Sequence, residues 1–412
     1  MNNVRVVVTG MGVISPVGND IETFWRCLCQ GQSGIVPVTS FDAAKFPSRI
    51  AGEVKDFDPS CFVEKKDIKK MDKFVQYGMA AAKMAIEDAG LDIHQEDPHK
   101  VGVVVGSGIG GLESIEKQHN VYLDKGPGRM SPFLIPMLIS NILPGFISMY
   151  YGMKGPNFSV VTACATGNHT IGISLDLLRH GKADVMICGG AEAANTRLAF
   201  GGFCAMRALS QRNDEPQKAS RPFDRDRDGF VMSEGAGILI LETLEHAQKR
   251  KARMYAEVKG FGMTADAFHI TKPAPNAEGS VRAMKLAIED AQIPKEKISY
   301  INAHGTSTKY NDVYETVAIK QVFGDHAKKI PINSTKSMTG HMLGAAGGIE
   351  SIVSILSIGR GQIHPTINLD NPDPECDLDY VAHTSRDIKL ETVLSNSLGF
   401  GGHNAALIFS KL

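Results

Sequence analysis

The chain has 412 residues, 43% hydrophobic and 22% charged, the proportions of an ordinary globular protein. With 44 basic and 45 acidic residues its net charge is −1, which offers no general attraction to nucleic acid or an anionic membrane. That length is more than one simple core needs, and predicts two domains or one large compact unit.

The opening MNNVRVVVTGMG runs almost at once into a strand. It leaves no room for a signal or transit peptide, so the expected location is the cytoplasm, with a mature organellar form left open. The cysteines Cys27, Cys29, Cys61, Cys164, Cys188, Cys204 and Cys376 form no CxxC pair and no metal spacing, which predicts a reducing compartment and no bound metal. The basic run EKKDIKKMDK (64–73) reads as a solvated helix face or as a landing site for an acidic partner.

VGVVVGSGIGG contains GxGxxG at Gly106, Gly108 and Gly111, but no second strand closed by an acidic residue follows it. A dinucleotide site is therefore not expected, and the glycines mark a strand turning tightly against another backbone. Ser131 to Met153 has no charged side chain and is long enough to cross a bilayer. Pro136, Pro144 and Gly145 interrupt it, so the expectation is a segment buried in the core or at a subunit interface, with no membrane anchor.

VVTACATGNHTIG (160–172) changes from apolar to small residues at Cys164, just before a helical pattern. Cys188, inside an apolar strand, reads as a small hydrophobe. Cys164 is either a buried structural thiol or a nucleophile at a helix N-terminus, where the dipole would favour thiolate. Later segments supply partners: His304 ends a strand in INAHGTST, Lys336 and His341 stand in STKSMTGHMLGAAGG, and Phe400 lies between glycines in NSLGFGGHN.

The chain also echoes itself. MAIEDAGLDIHQEDPHKVGVVVGSG (84–108) resembles LAIEDAQIPKEKISYINAHG (286–305), and RVVVTGMG (5–12) resembles AEVKGFGM (256–263). A weaker echo aligns the TG of TACATG with the TG of KSMTG. Continuous apolar runs at Val101–Val105, Val185–Cys188, Ile238–Leu241 and Leu407–Phe409 predict strands covered on both faces. The fold class is thus α/β, in two similar halves, 1–250 and 251–412, with no flexible linker and a shared site at their junction.

From RVVVTGMGVISPVGND through VGSGIGGLESIE, TACATG, RALSQRNDEPQKASRPFDRDRDGFVMSEGAG, NAHGTST and STKSMTGHMLGAAGG to SNSLGFGG, the chain resembles the β-ketoacyl-acyl carrier protein synthases. Within them it resembles the type II elongating class. The resemblance implies a thiolase-like fold, five αβαβα layers, a homodimer and no organic cofactor, with acyl carrier protein as the partner. It implies a monovalent cation site neither way.

By resemblance, Cys164 is the nucleophile that takes an acyl chain as a thioester. His304 and His341 drive decarboxylation of malonyl-acyl carrier protein, supported by Lys336, and Phe400 supplies an oxyanion-hole amide and a gate. Thr306 and Thr308 hold the pantetheine arm, Ile109 bounds the acyl pocket, and Glu350 joins the substrate-binding set. Lys65, Lys69, Lys70 and Arg207 are expected to dock the carrier.

Departures from the family pattern are Lys309 and Tyr310 after HGTST, His403 after GFGG, Lys272 in HITKPAP, and Ser233 in FVMSEGAG. A thiolase would need a second cysteine in the C-terminal glycine turn, and an initiating synthase would pair cysteine with His and Asn. Neither pattern is present. A non-condensing partner subunit would lack the cysteine, which leaves a specialised polyketide or secondary-lipid synthase as the alternative.

Overall fold

A computed structural model describes residues 4–412. The first half contributes β1 (Val6–Ile14), β2 (Val101–Gly106), β3 (Asn157–Phe158), β4 (Val185–Glu192) and β5 (Gly235–Thr243). The second contributes β6 (Ala256–Ala265), β7 (Tyr300–Asn302), β8 (Ile332–Asn333), β9 (Thr392–Gly399) and β10 (His403–Ser410). These ten strands form one ladder in the order β3-β2-β4-β5-β1-β6-β10-β9-β7-β8.

The ladder is two copies of one plan. Outward from the middle, β1-β5-β4 are antiparallel neighbours and β4-β2-β3 parallel ones. On the other side β6-β10-β9 are antiparallel and β9-β7-β8 parallel. Only two residue pairs, Val7 with Glu257 and Val8 with Ala256, join the halves across β1 and β6.

The repeated AIEDA now has a physical reason. Helices α1 (Lys73–Asp88) and α5 (Glu278–Asp290) lie against the strands that open each half. A Cβ on Gly10 would fall 2.1 Å from the carbonyl oxygen of Ala85, and one on Gly260 would fall 2.3 Å from that of Ala287. Glycine on the strand and alanine on the helix let the two backbones touch. That contact is repeated in both copies, so the sequence motif is repeated too.

Of the remaining helices, α2 (Leu112–Lys125) and α3 (Ile142–Tyr151) belong to the first half. α4 (Thr166–Arg179) follows the cysteine, α6 (Lys309–Phe323) follows β7, and α7 (Ala346–Arg360) follows the turn after His341. α4 and α7 pack on strands of both halves, while α1 and α5 cover the two outer faces. The result is five layers, helix–sheet–helix–sheet–helix. α7 is buried without a break from Ala346 to Ile358, as a helix enclosed between two sheets must be.

One expectation needs correction, and a second is narrowed from core to surface. The basic run 64–73 is helical at Lys65–Ile68 and again only at Lys73, the first residue of α1, whose N-terminus Asp72 caps. The run 131–153 is covered on one face only: Leu143 and Ile147 are buried, but Ile135 and Met149 are 61% and 67% exposed. Among the described residues no helix is long and apolar enough to cross a membrane.

Candidate active site

The segments carrying Cys164, His304, Lys336 and His341 converge where the two halves meet. Cys164 lies in a 3-10 turn, Ala163–Ala165, that leads directly into α4. Ala163 takes φ 50°, a strained value for a residue with a side chain, and this turns the chain sharply at the thiol. The cysteine is therefore one turn short of the helix proper, and it is buried.

The expected thiolate is not the resting state. Burial pushes the Cys164 thiol up to about 12; Lys336 pulls it down, Glu192 pushes it up, and the Phe400 backbone N–H donated to the sulfur pulls it down again. Desolvation outweighs the favourable groups, so the thiol rests protonated. Phe400 itself sits on the hairpin between β9 and β10, 37% exposed, with Gly399 before it. A Cβ on Gly399 would meet the Thr162 carbonyl oxygen at 2.6 Å, so only glycine lets this hairpin approach the cysteine turn.

The two histidines face each other edge to face, with ring centroids 5.3 Å apart. Lys336 Nζ donates to the His304 carbonyl at 2.7 Å and to its Nδ1 at 3.3 Å. Since an ammonium only donates, Nδ1 is the acceptor and the ring hydrogen is on Nε2. The Leu343 N–H donates to His341 Nδ1 at 3.3 Å, which selects the same tautomer. Burial, with Lys336 close by, holds both histidines well below their usual range; His341 adds to the effect on His304. Both are neutral Nε2–H donors.

Glu350 does not belong with the substrate-binding set. It is 1% exposed and ion-paired through Oε1 with Lys336 Nζ, on the far side of the lysine from His304 Nδ1 in the hydrogen-bond chain. Burial drives its carboxyl upward against the pull of Lys336. It holds the lysine.

Ile109 packs half-buried into an apolar cluster that also contains Cys164, Phe200, Phe230 and Leu343. Thr306 and Thr308 share a hydrogen bond at 2.9 Å in the loop after His304. Lys65, Lys69 and Arg207 are exposed at the surface. Lys70 differs: it is half-buried and paired with Asp67 at 2.7 Å.

Lys272, Lys309 and Tyr310 lie exposed, so the departures there change the surface. Ser233 is fully buried against Gly52, with its hydroxyl unpartnered. His403 lies at the start of β10, its ring 6.5 Å from that of His169.

Sequence reasoning missed two buried carboxylates. Glu315, on α6, accepts the backbone N–H groups of His304 and Gly305, both at 2.8 Å, and so fixes the histidine loop. Glu192, at the end of β4, accepts from the loop that carries Ile109. An acidic residue inside a wholly apolar stretch such as VMICGGAE was the available signal for the second.

Comparison with known proteins agrees with this geometry. Residues 3–247 match the family model described as "Beta-ketoacyl synthase, N-terminal domain", and 255–370 match "Beta-ketoacyl synthase, C-terminal domain". A 3-oxoacyl-[acyl-carrier-protein] synthase 2 from Coxiella burnetii is 53% identical over 412 residues, covering 100% of both chains. One from Synechocystis is 53% identical over 407 residues, covering 99% of this chain and 98% of the relative. Among solved structures, a type II PKS acyl-carrier protein in complex with its ketosynthase superposes with TM-score 0.93 at 36% identity, covering 100% of both chains. With a paired histidine site, a doubled sheet plan and relatives matched end to end, this chain belongs to the β-ketoacyl synthase family.

Proposed function

We propose that the protein is an elongating 3-oxoacyl-acyl carrier protein synthase of fatty acid synthesis, an acyltransferase with its site at the junction of halves 1–250 and 251–412. The single observation that carries this reading is the pair of neutral histidines, both tautomers selected by a donor on Nδ1, beside a buried cysteine. Relatives of synthase 2 type at 53% identity support the fatty acid reading over the polyketide one, for which the similar type II PKS ketosynthase reaches 36%.

In the first step the Cys164 thiol attacks the acyl thioester. The new C–S bond forms, the bond to the carrier's sulfur breaks, and the carrier leaves as a thiol with the cysteine proton. The Cys164 and Phe400 backbone N–H groups stabilise the oxyanion that forms on the way. In the second step malonyl-acyl carrier protein loses CO2, and its bond electrons pass into an enolate. Nε2–H of His304 and of His341 hydrogen-bond the enolate oxygen, a charge that positive Lys336 further favours. The enolate carbon attacks the acyl carbonyl, a C–C bond forms, and Cys164 leaves as thiolate and takes up a proton.

Thr306 and Thr308 are the pantetheine contacts in this scheme, Ile109 the wall of the acyl pocket, and the Phe400 ring its gate. Exposed Lys65, Lys69 and Arg207 offer an acidic carrier a salt-sensitive docking face. Lys70 contributes less, being already paired with Asp67. The open edge strand Asn157–Phe158 and exposed Phe133, Ile135 and Met149 support a homodimer across that edge. No organic cofactor enters any step, and the protein acts in the cytoplasm.

The test is intact-protein mass after incubation with acyl-acyl carrier proteins of graded length, for wild type and Cys164→Ala. A Cys164-dependent acyl adduct, converted to 3-oxoacyl product and CO2 by malonyl-acyl carrier protein, is the expected result. Absence of an adduct with every carrier would overturn the assignment.

A further inference from the structure

One buried charge has no part in the reaction just described. Glu192 is 0% exposed and lies at the C-terminal end of β4. Its Oε1 accepts from Ser107 Oγ at 2.6 Å and the Ile109 N–H at 3.2 Å. Its Oε2 accepts from the Gly108 N–H at 2.7 Å and, across the junction of the halves, from the Gly344 N–H at 3.0 Å. Three of the four donors are backbone N–H groups, which cannot accept a proton in return. Burial pushes the Glu192 carboxyl up, and the four donors pull it back toward the carboxylate, the form they fit better than a neutral acid.

The approach is closely fitted. A Cβ on Gly344 would lie 2.3 Å from the Gly108 nitrogen and 2.9 Å from Glu192 Oε2. One on Gly108 would lie 2.8 Å from Glu192 Oε2 and 3.3 Å from the Ala163 carbonyl oxygen, beside Cys164. The carboxylate thus lies where the Ile109 loop, the turn that follows His341 and the cysteine turn meet.

We propose that Glu192 is a positioning residue that pins the Ile109 loop to the turn after His341, and so sets the acyl pocket and the decarboxylation site in one register. This rests on the reaction proposed above. Because Gly108 lies against both Glu192 Oε2 and the Ala163 carbonyl oxygen, the carboxylate borders the cysteine turn, where its charge opposes a second negative charge at Cys164. It helps keep the thiol protonated until substrate arrives.

Glu192→Gln and Glu192→Asp separate the two effects. Glutamine keeps the reach and loses the charge, and its amide turns an N–H toward at least one backbone N–H. Aspartate keeps the charge and loses reach. Both variants should lose discrimination between the best-loaded acyl chain and its neighbours by about tenfold or more. Iodoacetamide alkylation of Cys164 at pH 8 should speed up by about threefold or more in Glu192→Gln, and stay at the wild-type rate in Glu192→Asp.

Thermal melts identify any variant that fails to fold, in which case the other is decisive. An unchanged chain-length profile in a folded variant overturns the positioning role. Unchanged alkylation in folded Glu192→Gln overturns the electrostatic one. If wild type loads no acyl chain, the reaction reading fails, and alkylation alone decides on the charge of Glu192.

Discussion

The turn that carries Cys164 is built a second time. Ala163–Ala165 and Leu343–Ala345 are both single 3-10 turns, entered at φ 50° and 47°, and each opens a long buried helix, α4 and α7. The helix starts touch: a Cβ on Gly167 would meet the Gly348 nitrogen at 2.5 Å, and one on Gly347 the Asn168 nitrogen at 2.4 Å. In this register Cys164 corresponds to Gly344. One copy of the turn displays a thiol, while the other commits its N–H to Glu192. The same strained geometry thus carries the proposed nucleophile in one half and an assembly contact in the other, and the side chain at one position decides which.

If the second half is the decarboxylation half, His304→Ala and His341→Ala should each cut malonyl decarboxylation by about 10²–10³-fold, as loss of one oxyanion donor does. Acylation of Cys164, followed by intact mass, should survive in both. Equal loss of the two steps would erase the division of labour. At the paired position, Gly344→Ala should cost about 2–4 kcal/mol, because its methyl meets backbone. Cys164→Ala, a truncation with no clash, should cost under about 1.5 kcal/mol. Equal melting temperatures for the two variants would break the comparison.

The pH dependence sharpens it further. His304 and His341 stay neutral below their usual range, so decarboxylation should hold its rate as pH falls through 6.5. Because their folded values are depressed, the stability they contribute is present above the unfolded value and is lost as pH falls below it. His246 does the opposite. Hydrogen-bonded to Glu242 at 2.6 Å and Glu96 at 2.8 Å, its ring is held above the usual range, chiefly by Glu242. Its contribution is complete below the unfolded value and is lost as pH rises through the folded one. Denaturant melts of His246→Gln should therefore differ from wild type by about 1 kcal/mol at pH 6 and by less at pH 8.

The strands and the doubled plan were legible because each rests on local pattern, apolar runs and AIEDA, while Cys164, His304, Lys336 and His341 were singled out by a cysteine before a helix, histidines after strands and the family resemblance. The echo of TACATG with KSMTG was placed out of register. The shared TG dipeptide is incidental, since Thr339–Gly340 ends a one-turn helix. The true mark is a left-handed residue, here alanine and leucine, which composition does not reveal. Glu192 escaped for another reason. Glu192 gathers donors 83 to 85 residues before it and 152 after it, contacts no window of sequence contains. The apolar run 131–153 declared its chemistry, but apolarity alone does not tell which face finds a neighbour.

The middle of the ladder bears on how the chain is made. β1 leaves the ribosome well before its partners, Gly235–Thr243 and the start of Ala256–Ala265. At roughly 5–20 residues per second, the wait is on the order of 10–50 s. For that time nine residues, all destined for the core, stay without a ladder on either side. A nascent chain of this design depends on whatever shields β1, and a pause before residue 257 lengthens the exposure.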